Sequence, residues 1–128
     1  MESHTVSGKR GGFTLIELLV VMSIIGLLLA LSLPRYFNSL ERAKEIALVE
    51  NLKVLRSQID RFYGDRGRYP NTLEELVEAR YLRAVPVDPM TESSESWQLV
   101  APAEGPGVID VHSGAEGSTR NGVPYVEL

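Results

Sequence analysis

Residues 9–34 read KRGGFTLIELLVVMSIIGLLLALSLP, where two basic residues and two glycines lead into a long apolar segment. The polar residues between positions 13 and 33 are Thr14, Glu17, Ser23 and Ser32. About 20 such residues, rising roughly 1.5 Å each, match the hydrocarbon core of a bilayer, which is roughly 30 Å thick. The pattern therefore predicts a membrane-spanning helix. Lys9 and Arg10 keep its N-terminal side in the cytoplasm by the positive-inside rule.

Glu17 is the one charged residue of this apolar segment. A carboxylate near the bilayer centre costs roughly 2.5 to 3.5 kcal/mol, and about a dozen Leu, Ile, Val and Phe residues at roughly −0.3 to −0.6 kcal/mol each outweigh that cost. An ionisable group inside a span needs a partner that lipid does not supply, so Glu17 is a candidate functional residue. A plain single-span anchor with an incidental Glu17 is the alternative.

A cleavable secretory signal peptide is a further alternative, with a small-residue cleavage site at Ala30, Leu31 and Ser32. The apolar core of such a peptide spans about 7 to 15 residues. The segment here is longer, carries Glu17, and continues past Pro34 into an amphipathic helical pattern. These differences favour a membrane helix that is retained.

The sequence GFTLIE, which begins at Gly12, resembles the prepilin motif of type IV pilins and of the pseudopilins of type II secretion. The resemblance implies that a prepilin peptidase cleaves after Gly12 and methylates the new amino terminus at Phe13. It also implies that Glu17 serves subunit assembly, as the acidic residue of the motif does in that family. Gly26 and Pro34 fall where the family's helix loosens in assembled filaments, and both residue types weaken a helix interior.

The chain divides by these signals into a cytoplasmic leader (1–12), a transmembrane and assembly helix (13–34), and a periplasmic head (35–128). Within the head, apolar residues recur at steps of four and three, which predicts one face of a helix that continues from the span: Leu48, Leu52, Leu55, Ile59 and Phe62. This helix is expected to end near Gly64 or Gly67. A coiled coil is the alternative, but fewer than three clean heptads are present.

The rest of the head predicts a short helix and short strands, so the expected class is α+β, with a small antiparallel sheet packed on the long helix. The short helix is expected to begin at Asn71 or Thr72, with Glu75 completing a capping box, and to end near Tyr81. Proline and glycine separate the expected strands, which lie near residues 97–101, 108–112 and 125–127. Trp97 is expected to be a core aromatic residue.

Short motifs in the head extend the resemblance to the major, G-type, pseudopilins of type II secretion: Tyr69-Pro70, Leu76-Val77, Tyr81-Leu82, Pro86 and Asp88-Pro89. This resemblance implies a structural subunit that polymerises from the inner membrane into a pseudopilus that drives protein export. The implied partners are further copies of the chain, other pseudopilins, the prepilin peptidase, the assembly platform with its ATPase, and inner-membrane lipid. The alternatives are a type IV pilus subunit and, from another class, a membrane-tethered binding domain or enzyme.

Composition narrows the remaining function classes. The net charge of −4 and a pI near 5.2 argue against a nucleic-acid partner, which would require a basic surface. The absence of cysteine excludes disulfides, thiolate metal sites and a cysteine nucleophile. No catalytic residue is expected: Ser113, His112 and Asp110 suggest a hydrolytic triad, but adjacent strand residues point to opposite faces.

Calcium is the one cofactor for which the sequence offers candidate ligands. Asp110, Glu116 and Asp88 could supply the oxygen ligands that calcium prefers. The G-type resemblance covers the loop from Ser113 to Gly117, after which the closely spaced aspartates that help to bind calcium in that family are missing. The sequence reads STRNG from position 118 instead. We therefore expect no cofactor and no metal site.

Overall fold

The computed structural model describes residues 11–128, so Lys9, Arg10 and most of the predicted leader lie outside the described part of the chain. Its elements in chain order are α1 (Leu15–Arg66), α2 (Leu73–Glu78), β1 (Gln98–Val100), β2 (Asp110–His112) and a 3₁₀ helix (Tyr125–Glu127). The chain forms two compact units, one that ends at Asn38 and one that comprises Ser39–Leu128. The domain boundary predicted after Pro34 remains a proposal.

Helix α1 is 52 residues long and ends at Arg66, which confirms the prediction that it stops near Gly64 or Gly67. Among residues 11–128 it is the one helix that is long and apolar enough to cross a membrane, and none of that apolar window is buried within the protein. Continuous apolar sequence forms a helix here because every backbone polar group finds its partner inside the segment, which a bilayer requires.

The head, Ser39–Leu128, owes its core to the second half of α1. The predicted apolar stripe is confirmed, because all five of its side chains are at most 1% exposed: Leu48, Leu52, Leu55, Ile59 and Phe62. Trp97, Val108 and Val111 from the strand region pack against this stripe, together with residues of α2. Each large apolar side chain buried in this way stabilises the fold by about 1.5 to 3 kcal/mol. Trp97 is therefore the core aromatic residue that the sequence predicts.

Helix α2 begins as predicted and ends early. The Thr72 hydroxyl oxygen accepts the Glu75 N–H at 3.2 Å, which is the N-cap contact of a capping box. The helix ends at Glu78 rather than near Tyr81 because Arg80 adopts a left-handed φ of 67°. The Tyr81 N–H then donates to Leu76 O at 2.8 Å, so the chain turns away in a Schellman motif.

The sheet has two antiparallel strands, and its central pair aligns Leu99 with Val111. Both strands lie inside the segments predicted for them, and the head is the expected α+β arrangement of one long helix with a small antiparallel sheet. The third expected strand, at 125–127, is wrong. Pro124 sets a φ of −57° before this segment, and the Glu127 N–H donates to Pro124 O, so the residues close a 3₁₀ turn instead.

Candidate processing and assembly site

Gly12 and Phe13 precede α1 and are open to their surroundings. Among residues 11–128, apart from its two chain neighbours, no atom lies within 4 Å of a Cβ built on Gly12. The side chain of Phe13 is 82% exposed. The described chain around the expected cleavage point is therefore outside the helix and uncrowded, as a peptidase substrate needs to be. The cleavage and the methylation themselves remain predictions.

Thr14 is a site residue that sequence reasoning missed. Its hydroxyl oxygen accepts the Glu17 N–H at 3.1 Å, and its carbonyl accepts the Leu18 N–H at 3.0 Å. Thr14 is thus the N-cap of α1, and Glu17 occupies the third helical position, where a capping box places its acidic residue. The spacing of Thr14 and Glu17 repeats that of Thr72 and Glu75, and this repetition was the available sequence signal.

The carboxylate of Glu17 makes no hydrogen bond or ion pair with any residue between 11 and 128, whereas its backbone N–H is satisfied by Thr14. The glutamate lies in the first turn of α1, where the positive end of the helix dipole favours an anion. The site therefore presents a carboxyl group at the start of an exposed apolar helix. Such a group is available to a cationic partner from outside the described chain.

Gly26 and Pro34 both lie inside α1, which continues unbroken through each of them. No atom outside the helix backbone lies within 4 Å of a Cβ built on Gly26, so no close packing requires a glycine there. Pro34 cannot donate the backbone hydrogen bond of its turn. The predicted loosening between these two residues concerns the assembled filament and remains a prediction.

Asp88 and Ser113 form a buried polar pair in the head, and both are fully buried. The Ser113 hydroxyl donates to Asp88 Oδ2 at 2.6 Å, and the Met90 N–H donates to Asp88 Oδ1 at 2.9 Å. The Ala115 N–H donates to the Ser113 hydroxyl oxygen at 3.1 Å. Because Ser113 is committed to Asp88, it does not form a nucleophile–base pair with His112.

Arg56 forms a second cluster in the head. Its Nε donates to Asp110 Oδ1 at 2.7 Å, and its Nη2 donates to Val111 O at 2.9 Å and to Leu128 O at 2.6 Å. His112 Nε2 lies 3.6 Å from Asp110 Oδ2, and His112 Nδ1 lies 3.2 Å from Leu128 O. Partial burial raises the pKa of the Asp110 carboxyl, but hydrogen bonds from Arg56 and the Val111 amide, with the nearby positive charges, lower that pKa overall.

These residues do not fit a calcium site built from Asp88, Asp110 and Glu116. Both carboxylate oxygens of Asp88 accept hydrogen bonds within the core. Asp110 Oδ1 accepts hydrogen bonds from Arg56 and from the Val111 amide, and Glu116 is exposed. Among the described residues, no group of three or more His, Cys, Asp or Glu side chains is arranged to hold a metal ion. The expectation of no cofactor remains a prediction.

Comparison with known protein families matches residues 7–33 to the "Prokaryotic N-terminal methylation motif". The match covers Gly12, Phe13 and Glu17 and the whole apolar segment from position 13 to position 33.

Comparison with curated proteins extends the similarity to the head. The chain is 34% identical to the type II secretion system core protein G of Klebsiella michiganensis, over 91% of this chain and 87% of that protein. It is 34% identical to the protein of the same name from Dickeya chrysanthemi, over 82% of this chain and 76% of that protein. For Pseudomonas aeruginosa the identity is 32%, over 88% of this chain and 91% of that protein. No solved structure matches the chain significantly.

Proposed function

Since this chain belongs to the family of type II secretion system core protein G, we propose that it is a structural subunit of a type II secretion pseudopilus. The observation that carries this proposal is the 34% identity to such a protein over 91% of the chain. Its copies polymerise from the inner membrane, and the growing filament drives folded proteins out of the cell. Its partners are other copies of the chain, other pseudopilins, the prepilin peptidase, and the assembly platform with its ATPase.

Before assembly, the subunit is a single-pass inner-membrane protein whose head lies in the periplasm. The apolar part of α1 supports this location, because it is long enough to span a bilayer and none of it is buried within the protein. Lys9 and Arg10 support the orientation, because basic residues beside a span remain on the cytoplasmic side. The leader therefore faces the peptidase in the cytoplasm, and filament growth withdraws the helix from the bilayer.

Processing makes the chain competent for assembly. Cleavage after Gly12 creates an amine at Phe13, which carries a positive charge at the membrane edge. The expected mature protein begins at Phe13 with a methylated amine, and intact-mass spectrometry of membrane-extracted protein measures both changes. A mature form that begins near Leu33 would support the signal-peptide alternative and contradict this step.

Glu17 pairs with the amine of Phe13 on a neighbouring copy as the helices assemble. Replacing Glu17 makes insertion easier by about 2 to 3 kcal/mol, so the residue does not serve membrane residence. Its contribution lies between subunits, because a buried charge left without its partner costs about 3 to 5 kcal/mol. The exposed position of Glu17 in the first turn of α1, without a carboxylate partner among residues 11–128, supports such a contact.

Two variants test the pairing. Glu17→Ala removes the carboxylate, and Glu17→Gln keeps its shape while removing the charge. Both are expected to be inserted and cleaved like the wild type but to yield few filaments, as measured by shearing and immunoblotting. Glu74→Ala, which removes an exposed glutamate from the first turn of α2, is the matched control. Filaments at wild-type yield from the Glu17→Ala variant would show that the pairing is wrong.

Deleting the gene in its native host tests the function as a whole. A pseudopilus subunit is needed for export, so folded extracellular proteins should accumulate in the periplasm of the deletion strain while surface motility is unchanged. Restoring the wild-type gene should restore export. Normal export together with lost motility or adhesion would instead indicate a type IV pilus subunit.

A further inference from the structure

We infer that Arg56 is the resident cation that fastens residues 118–128 to the rest of the head, so that this fastening needs no bound metal ion. We call residues 118–128 the closing segment. The inference concerns the integrity of the head and does not depend on which machinery the filament serves.

The guanidinium of Arg56 joins three parts of the chain. It projects from α1 and donates to the Asp110 carboxylate and the Val111 carbonyl in β2. It also donates to the Leu128 carbonyl at 2.6 Å, at the far end of the closing segment. Hydrogen bonds from a charged donor are about twice as strong as neutral ones, and the planar guanidinium fixes their directions. One side chain therefore ties α1, β2 and the closing segment together.

The near end of the closing segment is tied to α1 as well. Glu45 Oε1 accepts the Arg120 N–H at 2.9 Å. Two further hydrogen bonds shape the segment, because the Thr119 N–H donates to Val123 O and the Tyr125 N–H donates to the oxygen of Gly117, which directly precedes the segment. Among the described residues, hydrogen bonds join the closing segment to α1 at Glu45 and at Arg56. The side chains of Tyr125 and Leu128 also pack against the core of the head.

The oxygens around Arg56 are those that a hard cation would otherwise take. A carboxylate and two backbone carbonyls converge on the guanidinium, from Asp110, Val111 and Leu128, and carboxylates and carbonyls are the ligands that calcium uses. A calcium ion entering there would displace the guanidinium and be repelled by its charge. The chain thus supplies its own cation where the acidic loop of the G-type resemblance is missing.

Amide hydrogen exchange on the full chain in detergent micelles tests the fastening. In the Arg56→Gln variant, the amides of Thr119, Arg120 and Tyr125 are expected to exchange roughly tenfold to a hundredfold faster than in the wild type. Amides of α1 around Leu52 and Ile59 should keep their protection, which reports that the head is still folded. Lys53→Gln, which removes an exposed cation one turn away on the same helix, is the control and should change neither set.

The conservative variant and calcium complete the test. Arg56→Lys keeps the charge but not the planar fork, and should restore part of the lost protection. For the wild type, the melting temperature should be the same in chelator and in calcium at about 1 to 10 mM, which covers the Kd range of extracellular calcium modules. A rise of about 10 °C with calcium, as a well-occupied site gives, or unchanged exchange of the closing segment in Arg56→Gln, would overturn the inference.

Discussion

The two α-helices begin with the same spacing of threonine and glutamate, yet the carboxylates of the two glutamates differ in their hydrogen-bond partners. In α2, Thr72 caps the helix, and the Glu75 carboxylate accepts hydrogen bonds from Arg68 and from the Asn71 N–H, both at 2.6 Å. In α1, Thr14 makes the same cap, but the Glu17 carboxylate has no partner among the described residues. The same spacing of threonine and glutamate therefore yields one acid that is paired within the chain and one that has no partner among residues 11–128.

The apolar side chains of α1 repeat this contrast. In the unit that ends at Asn38 they are exposed, as Leu28 is at 58%, whereas Leu55 in the head is fully buried. Exposed apolar surface of this extent in a soluble protein marks an interaction site or a membrane segment. The comparison teaches that the buried stripe of α1 completes its contacts within the head, whereas the apolar side chains of the first unit lie open to their surroundings, as the proposed contacts with lipid and with neighbouring subunits require.

The largest expected effect on head stability comes from a pair of phenylalanine variants, one from each unit. Phe62→Ala removes a fully buried ring from the core and should lower the free energy of unfolding by about 3 to 5 kcal/mol. Phe37→Ala removes a ring that is 58% exposed and should change it by less than about 0.5 kcal/mol. Urea unfolding of both full-length variants in micelles measures the difference. Equal losses would break the contrast between the two units.

Two glycines give the next pair. A Cβ on Gly114 would clash with the backbone oxygen of Ser96. Relief of this clash would require a shift of the backbone at Ser96, which is harder than the rotation of a side chain. Gly114→Ala is therefore expected to cost the head about 1 to 3 kcal/mol, as overpacking does. Among the described residues, a Cβ on Gly26 meets no atom within 4 Å beyond its own helix backbone and chain neighbours, so Gly26→Ala should leave head unfolding unchanged. A Gly114→Ala head as stable as the wild type would mean that the 96–114 contact is looser than the structure indicates.

The two capping threonines form a smaller pair. Thr72→Ala removes the cap of α2 and should destabilise the head by about 1 kcal/mol. Thr14→Ala removes the equivalent bond of α1 and should leave the unfolding midpoint of the head unchanged, because that cap lies in the other unit. The same urea titrations compare them. An equal loss of head stability in the Thr72→Ala and Thr14→Ala variants would show that the start of α1 contributes to the stability of the head.

The smallest expected effect is a pH dependence confined to the head. The pKa of the Asp110 carboxyl is lowered in the folded state, so the unfolded chain binds the proton more tightly. The stabilisation is therefore fully present above the unfolded pKa of about 3.9 and is lost as the pH falls through the lower folded value. Melting curves between neutral pH and about pH 3 should show this loss, and Asp110→Asn should reduce it. A head that gains stability on acidification would contradict the assignment.

Much of the fold is predictable because its signals are local or periodic. The stripe from Leu48 to Phe62 follows the helical period, and the Thr72 cap follows a four-residue motif. Segment 125–127 shows where local signals fail to predict the structure. Tyr125 and Val126 favour a strand by residue type. Pro124 and the hydrogen bond from the Tyr125 N–H to Gly117 O impose a turn instead. Propensity is a weak guide wherever a few long-range contacts outweigh it.

The candidate site divides in the same way. Gly12, Phe13 and Glu17 are recognisable because the methylation motif is a short continuous stretch of sequence, and the match to residues 7–33 covers them. Arg56 carried no such signal: it adjoins the apolar stripe of α1, but its partners lie 54 and 72 residues further along the chain.

Sequence alone determined the membrane helix, the stripe and the processing motif, because each depends on residues within a few turns. Only the tertiary structure decided which acids are paired and what fastens the closing segment, because those contacts join residues that the chain separates widely.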